Sequence, residues 1–294
     1  MLRIEKILCP VDFSEYSAKA YEYAQSLAQH YGAKLLLQHV VQPLTSAYPY
    51  YAFPDAINEV FWNLETRADE KLSELMSGHR VDGIETQRFV HKGTVPECVL
   101  AFAENQGADL IVMGTHGRHG FDHFTMGSVT EKVLRKARCP VLVVRKPAHD
   151  FVNPGDAAEP VRLKKILFCT DFSEYSSRAL TYALSLAMEY NADLTLLHVL
   201  EDVPPTDDLQ KSVAEITRRL EELAPPEAGD WCKVHSAVRI GKPYQQILQI
   251  VLENETDLVV MGVRGRNAVD LALFGSTTHR VIQLGTSPVL AVHI

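Results

Sequence analysis

The chain has 294 residues, which at about 150 residues per domain predicts two domains or one large one. Its 29 basic and 37 acidic residues give a formal net charge of −8, which argues against a general binder of nucleic-acid backbone but not against a site for one small nucleotide. No apolar run approaches the roughly 20 residues that span a bilayer, and the N-terminus lacks signal-peptide features. Five scattered cysteines, never spaced C-x-x-C, predict free thiols and a cytoplasmic protein without membrane contact.

The first half alternates apolar strands with amphipathic helices. The elements predicted in chain order are a strand at Ile4–Val11, a helix at Asp12–Tyr31, a strand at Leu35–Val41, a helix at Asn58–Met76, a strand at Thr86–His91, a helix at Pro96–Glu104, a strand at Leu110–Met113, a helix at Ser128–Arg138 and a strand at Val141–Val144. Ser14 and Gly32 are the expected cap and stop of the first helix. This order predicts an α/β fold with a five-stranded parallel sheet between two helical layers.

The chain repeats itself, and the repeat divides it into two similar halves. Lys6–Val40 returns without a gap as Lys165–Val199, and Ala108–Arg118 returns as Thr256–Arg266. A stretch rich in proline, glycine and charge separates the copies and is a linker by composition. The predicted organisation is a first domain at 1–147, a linker at 148–162 and a second domain at 163–294.

A glycine pattern follows the fourth predicted strand of each half, where ligands bind in open α/β sheets. Gly-x-x-Gly is followed by nine residues and then Gly-Ser, with identical spacing in both copies. Glycine lets backbone N–H groups approach an oxyanion, and the last glycine opens a helix whose N-terminus favours anions. The alternative is that the glycines only shape turns. The copies comprise Gly114, Gly117, Gly127 and Ser128 in the first half and Gly262, Gly265, Gly275 and Ser276 in the second.

The pattern differs from other nucleotide motifs. There is no G-x-x-x-x-G-K-[ST] and no G-x-G-x-x-G after the first strand, which disfavours a P-loop and a dinucleotide site. Asp12 and Asp171 end the first strand of each half, where an aspartate either caps the next helix or contacts a ligand.

A strand ending in Asp-Phe-Ser, a strand ending in His-Val and the glycine pattern together resemble the universal stress protein family, in a tandem form that covers nearly all of the chain except the linker. The resemblance implies two tandem, open, five-stranded parallel-sheet sandwiches of Rossmann-like, adenine nucleotide alpha hydrolase-like fold. It also implies ATP as the ligand, or ADP or AMP, because the ATP-binding branch of the family keeps the glycine pattern. Asp12 and Asp171 would then contact ribose or adenine, Val40 and Val199 would lie near the base, and the glycines with the two serines would hold the phosphates.

The candidate binding residues lie on the same turns in both halves. Cys169 replaces Pro10, and Val263 with Arg264 replaces Thr115 with His116, so the two pockets are expected to be unequal. The full set is Pro10, Val11, Asp12, Val40, Gly114, Thr115, His116, Gly117, Arg118, Gly127, Ser128, Val129 and Thr130, with Cys169, Thr170, Asp171, Val199, Gly262, Val263, Arg264, Gly265, Arg266, Gly275, Ser276, Thr277 and Thr278.

Weaker signals leave alternatives open. Arg118 and Arg266 either meet a phosphate or are solvated loop residues. The segment His116–His123 carries three histidines and an aspartate, a pattern that can bind metal but that a loop rarely holds in geometry; no metal site is predicted. The aromatic segment Tyr48–Phe53 is either a lid or partner surface, or a loop folded onto its own domain. The charged segment Arg218–Glu222 is interpreted as a solvated helix face.

Three functional hypotheses fit these residues. The first is a cytosolic ATP-binding regulatory protein of the stress response, whose nucleotide state is read by protein partners and which needs no catalytic residues. The second is a slow ATPase or nucleotide-dependent enzyme using Mg²⁺. The third is an interaction module with vestigial pockets. The resemblance further implies an internal pseudo-dimer, in which Val141–Val144 and Val289–Val292 pair and cover both sheet edges, with a homodimer as a further option.

Overall fold

The computed structural model describes residues 2–42, 54–79, 81–115, 126–145, 150–156, 158–201, 206–263 and 275–293, and the side chains of 54–61 and 206–207 lie outside this description. The strands of the described residues are β1 (Lys6–Pro10), β2 (Lys34–Val41), β3 (Thr86–Lys92), β4 (Leu110–Gly114), β5 (Val141–Val144), β6 (Lys165–Cys169), β7 (Asp193–Leu200), β8 (Val234–Ile240), β9 (Leu258–Gly262) and β10 (Val289–Val292). The α-helices are α1 (Glu15–Tyr31), α2 (Pro54–Gly78), α3 (Val95–Gln106), α4 (Ser128–Lys136), α5 (Glu174–Tyr190), α6 (Thr206–Glu221), α7 (Pro243–Asn254) and α8 (Ser276–Leu284). Within these ranges, every helix is too short or too polar to cross a bilayer.

All ten strands belong to one sheet, in the order β3-β2-β1-β4-β5-β10-β9-β6-β7-β8. Neighbouring strands are parallel within each half, and the apolar Val/Ile/Leu strands are buried on both faces, as parallel sheets require. The predicted α/β fold with two five-stranded parallel halves is confirmed.

The two halves join through β5 and β10, which pair antiparallel in the register Val143 with Val289 and Leu142 with Leu290. This is the edge pairing that the family resemblance implied, and it is confirmed within the chain. Both edges, each of four buried apolar residues, are thereby covered. Because the direction of the strands reverses at this seam, the carboxyl ends of the first half lie at one edge of the sheet and those of the second half at the other.

Two apolar layers cover the sheet, and each runs through both halves. Side chains of α1, α2, α5 and α6 pack on one face, which we call the front layer. Side chains of α3, α4, α7 and α8 pack on the other face, which we call the back layer. Strand residues alternate between the layers, so that Phe168 belongs to the front layer and Cys169 to the back layer.

Side chains from both halves meet across the seam. His30 Nε2 lies 2.7 Å from Glu189 Oε1, and Tyr31 donates its hydroxyl to Glu189 Oε2 at 3.2 Å. Arg145, which follows β5, donates to a carbonyl oxygen in the last turn of α8 at 2.6 Å. His293, which follows β10, donates to a carbonyl oxygen in the last turn of α4, also at 2.6 Å. The halves are therefore tied by hydrogen bonds at the seam in addition to the strand pairing.

The segment predicted as a linker packs on the front layer. Phe151 is 2% exposed, and its ring meets that of Tyr23 edge to face at 4.9 Å. Val152 and Val161 form an antiparallel bridge, which folds the segment back on itself. The described part of this segment is thus ordered against the core, a contact that its loop-like composition did not indicate.

Candidate functional site

The turn after β1 combines an aspartate with the capped start of α1. Asp12 Oδ1 accepts hydrogen bonds from the Ser14 N–H at 3.1 Å and from the Ser14 hydroxyl at 2.6 Å. Ser14 in turn caps the helix by accepting from the N–H of Ser17 at 3.2 Å. The cap predicted at Ser14 is confirmed, and Asp12 does not cap the helix itself but orients the capping residue.

The second half repeats this turn. Asp171 Oδ1 accepts from the Ser173 N–H at 3.0 Å, and Ser173 caps α5 by accepting from the N–H of Ser176 at 3.3 Å. Thr170, at the position of Val11, donates its hydroxyl to Ser176 and accepts from the backbone N–H of Phe172. Both aspartates are half-buried, and each accepts the N–H of the serine two residues further on, which fixes its carboxylate at the turn.

A phenylalanine with an unfavourable backbone conformation follows each aspartate. Phe13 has φ 65° and Phe172 has φ 59°, and left-handed backbone is a genuine outlier for bulky side chains. Their rings stack on His39 at 4.6 Å and on His198 at 4.8 Å, the histidines of the two His-Val motifs. Strain of this kind concentrates at functional sites and costs about 1–3 kcal/mol.

Those histidines bind the strand-1 turn, a role that was not assigned to them from the sequence. His39 Nδ1 donates to the carbonyl oxygen of Val11 at 2.7 Å, and His198 Nδ1 donates to that of Thr170 at 2.8 Å. The signal was available, because each histidine precedes a candidate valine in both copies. The structure therefore adds His39 and His198 as positioning residues of the two turns.

The candidate residues of the strand ends divide between the two faces of the sheet. Cys169 and Val199 pack in the back layer, whereas Val11 packs in the front layer. The side chain of Val11 in the first half therefore lies on the opposite face of the sheet from Cys169 and Val199 in the second half. Burial raises the pKa of the Cys169 thiol far above its usual range, so this cysteine is a packing residue without thiolate reactivity.

The first glycine of each motif is explained by packing. A Cβ on Gly114 would lie 2.9 Å from the backbone carbonyl carbon and the Cβ of Tyr16, and one on Gly262 would lie 2.9 Å from the carbonyl carbon of Tyr175. Contacts below 3.0 Å essentially never occur for real Cβ atoms. The close approach of α1 to β4 and of α5 to β9 thus gives a packing reason for glycine at these two positions, and the ligand access expected from the sequence stays a prediction.

The last glycine of each motif is the N-cap of a helix and has no side chain with which to cap it. Gly127 is the N-cap of α4 and Gly275 the N-cap of α8, and neither helix has a side-chain cap hydrogen bond among the described residues. Thr130 donates its buried hydroxyl to the carbonyl oxygen of Gly114 at 2.9 Å, and Thr278 donates to that of Gly262 at 3.0 Å. Each helix start is thereby fixed to the carboxyl end of its strand, and the two threonines use their hydroxyls for this bond.

Several candidate residues flank these helix starts. Thr115 and Val263 are buried and accept, through their carbonyl oxygens, the N–H groups of Gly127 at 2.8 Å and Gly275 at 3.1 Å. Ser128, Val129, Ser276 and Thr277 form the first turns of α4 and α8. Gly127 has φ −60° and Gly275 has φ −57°, so their backbone conformations do not require glycine.

The centre of each glycine motif lies outside the described residues. This applies to His116, Gly117 and Arg118, to Arg264, Gly265 and Arg266, to the rest of the histidine-rich segment and to the aromatic segment Tyr48–Phe53. The interpretations of these residues stay predictions.

The charged segment of α6 is only partly a solvated face. Arg218 is exposed and pairs with Glu222 within the helix, as expected. Arg219 is half-buried instead, with its guanidinium carbon 3.9 Å from the centroid of the Phe172 ring. The prediction was therefore wrong for Arg219, which contacts the strand-1 turn of the second half.

The fold and the site together define a class of protein: a tandem α/β protein in which each half-sheet carries an oriented aspartate and an uncapped helix start at its carboxyl edge. Two segments of the chain, 3–145 and 162–293, match the model of the universal stress protein family. The chain therefore belongs to the universal stress protein family.

Known proteins of this family resemble the chain, some over nearly its whole length and one over half of it. A universal stress protein of Mycolicibacterium smegmatis is 28% identical over 97% of this chain and 96% of its own length. The universal stress protein MJ0531 of Methanocaldococcus jannaschii is 32% identical over 50% of this chain and 85% of its own length. The crystal structure of a universal stress protein from Archaeoglobus fulgidus superposes with a TM-score of 0.70 at 24% identity, covering 98% of this chain and 96% of that one, and supports the fold.

Proposed function

We propose that the protein is a cytosolic, ATP-binding regulatory protein of the stress response, with one nucleotide site at the carboxyl edge of each half. Its nucleotide state would be read by partner proteins. The observation that carries the proposal is the pair of helix starts at Gly127 and Gly275, which no side chain of the described residues caps and which are each fixed beside the carboxyl end of a central strand.

The helix starts supply the expected phosphate contacts. The first N–H groups of an α-helix have no partner within the helix, and with the helix dipole they favour an anion. By contrast, α1 and α5, whose N-termini also lie at these edges, are capped by Ser14 and Ser173 and have less to offer. Phosphates are therefore assigned to α4 and α8.

The aspartates supply the expected contact to the nucleoside. Asp12 and Asp171 are held by bonds to the following serine, and they stand at the ends of β1 and β6, beside β4 and β9 in the sheet. Val199 lies in the back layer with α8, on the face where the base is expected. The family resemblance selects ATP, or ADP or AMP, as the nucleotide.

The proposal is tested by denaturing freshly purified protein and identifying any released nucleotide by chromatography, followed by calorimetric titration with Mg-ATP. We expect two sites per chain, and one remaining site in either Gly127→Val or Gly275→Val, because valine tolerates the extended backbone there while its side chain blocks the helix start. Gly78→Ala, where an added Cβ meets nothing within 4 Å, is the matched control. Absence of both released nucleotide and Mg-ATP binding would overturn the proposal.

A further inference from the structure

A cavity of about 280 Å³ opens between β6, α5 and α6 in the second half. Its floor is built from front-layer residues, including the fully buried Phe168 and the buried Leu180. Cys169 and Val199, which belong to the proposed nucleotide site, pack in the back layer. The cavity therefore lies on the face opposite to Cys169, Val199 and the start of α8, and it meets the candidate site only at the strand-1 turn, where Thr170 and Phe172 line it. We call it the α5–α6 pocket.

The pocket has an apolar interior and a polar mouth. Phe168, Leu180 and Leu223 line the interior, and the exposed Ser177 stands at the mouth. Ser177 donates its hydroxyl to the carbonyl oxygen of Ser173 at 3.1 Å, so its oxygen keeps the capacity to accept. Small-molecule pockets in proteins start at about 300 Å³, so this volume suits a molecule built on one ring or a short branched chain.

Two charged side chains, Arg219 and Glu222, line the pocket, and Arg218 neutralises Glu222 by pairing with it, so Arg219 supplies the uncompensated charge. Its guanidinium stacks on the Phe172 ring at 3.9 Å, a contact that uses the flat face of the group. Among the described residues it has no carboxylate partner within ion-pair distance, whereas its neighbour Arg218 pairs with Glu222. The N–H groups along the edge of the guanidinium are thus held in a fixed plane at the wall of the cavity, an arrangement suited to a carboxylate or phosphate.

The first half does not share this lining. Tyr21, which is 2% exposed, stands where the second half has Leu180, and the apolar Val11 stands where it has Thr170. The cation stacked on Phe13 is Lys71, whose ammonium lies 5.7 Å from the ring centroid. The fold alone therefore does not dictate a guanidinium beside a leucine-lined cavity, which is particular to the second half.

We propose that the α5–α6 pocket binds a small organic anion, with its carboxylate or phosphate group on Arg219 and a ring-sized apolar body against Phe168 and Leu180. The oriented guanidinium suits a carboxylate or phosphate group, and the apolar floor favours an organic anion over an inorganic ion. Phe172 links this pocket to the strand-1 turn, because its ring contacts both Arg219 and His198.

The test is calorimetric titration of the full chain with phenylacetate and, separately, with phenyl phosphate, which distinguishes the two acid heads. We expect at least one of them to bind with a Kd below about 1 mM. Arg219→Gln should weaken that binding by about tenfold or more, since hydrogen bonds to charged groups carry this much. Arg219→Lys should retain part of the affinity, and Arg239→Gln, whose ion pair with Glu253 of α7 lies outside the cavity, should leave it unchanged.

Two further measurements fix the location. Leu180→Tyr, which introduces the residue of the first half, should abolish binding by filling the cavity, with the melting temperature showing that the variant is folded. Gly275→Val, which blocks the proposed phosphate site on the other face, should not affect binding. The proposal would be overturned if neither probe bound or if uncharged benzyl alcohol bound with equal affinity. It would also be overturned if Gly275→Val lost binding while Arg219→Gln kept it.

Discussion

Replacing Gly114 by alanine tests whether the first motif glycine serves packing or ligand access. The new Cβ would lie 2.9 Å from the carbonyl carbon, oxygen and Cβ of Tyr16, atoms that move only if α1 shifts. Overpacking of this kind costs about 1–3 kcal/mol, and the loss of glycine's freedom in the unfolded chain offsets about 0.4–1 kcal/mol of it. We therefore expect Gly114→Ala to lower the free energy of unfolding by about 1–2 kcal/mol net.

The assay is thermal unfolding of nucleotide-free protein, since a bound ligand would raise the transition by itself. At about 2–4 °C per kcal/mol for a chain of this size class, the melting temperature should fall by about 2–8 °C. Gly262→Ala, whose Cβ would meet Tyr175 at 2.9 Å, should behave alike, and Gly78→Ala, with nothing within 4 Å, should not destabilise. An unchanged melting temperature in Gly114→Ala, combined with weaker ATP binding, would refute the packing argument and restore ligand access as the reason for this glycine.

Two other predictions concern a helix cap and a buried imidazole. Ser14→Ala removes the cap of α1 and a partner of Asp12, and should cost about 1 kcal/mol in urea unfolding; a loss below the error of the fit would contradict the role of this cap. Partial burial lowers the pKa of His91 below its ordinary value of 6.5, and His91 Nδ1 accepts a hydrogen bond from Gln38 Nε2 at 2.9 Å. The folded state therefore binds fewer protons than the unfolded state, and the free energy of unfolding falls as the pH drops below about 6.5. His91→Gln, which keeps a hydrogen-bonding partner for Gln38, should lose less stability between about pH 7.5 and 5.5 than the wild type, and parallel pH profiles would exclude His91 as the source.

Local signals in the sequence located most of the fold. The cap at Ser14 and the left-handed stop at Gly32, with φ 62°, were predictable because capping depends on neighbours in the chain. The second helix starts at Pro54 rather than Asn58, since its first turn lacks the apolar spacing that marks the rest. The pairing of β5 with β10, in which Val143 lies opposite Val289, was predicted only through the family resemblance. The sequence of an apolar strand does not by itself indicate which strand pairs with it.

The candidate site was less predictable because its contacts join distant parts of the chain. Nothing near Gly114 in sequence indicates that Tyr16 packs against it, so a glycine explained by ligand access and one explained by packing look alike. The contact of Arg219 with Phe172 was unpredictable for the same reason. Helical spacing shows which residues share a face of α6, but only the packing of α6 on the sheet shows that the face with Arg219 contacts Phe172.

Because the strand direction reverses between β5 and β10, the carboxyl ends of the two half-sheets point in opposite directions. The two proposed nucleotide sites therefore open at opposite edges of the same sheet. Partner proteins that read these sites, as proposed above, would approach one chain from opposite ends, each in contact with a different half. A single-site relative would need two chains for this arrangement, whereas here the bridge is one covalent unit whose length and orientation are set by ten hydrogen-bonded strands.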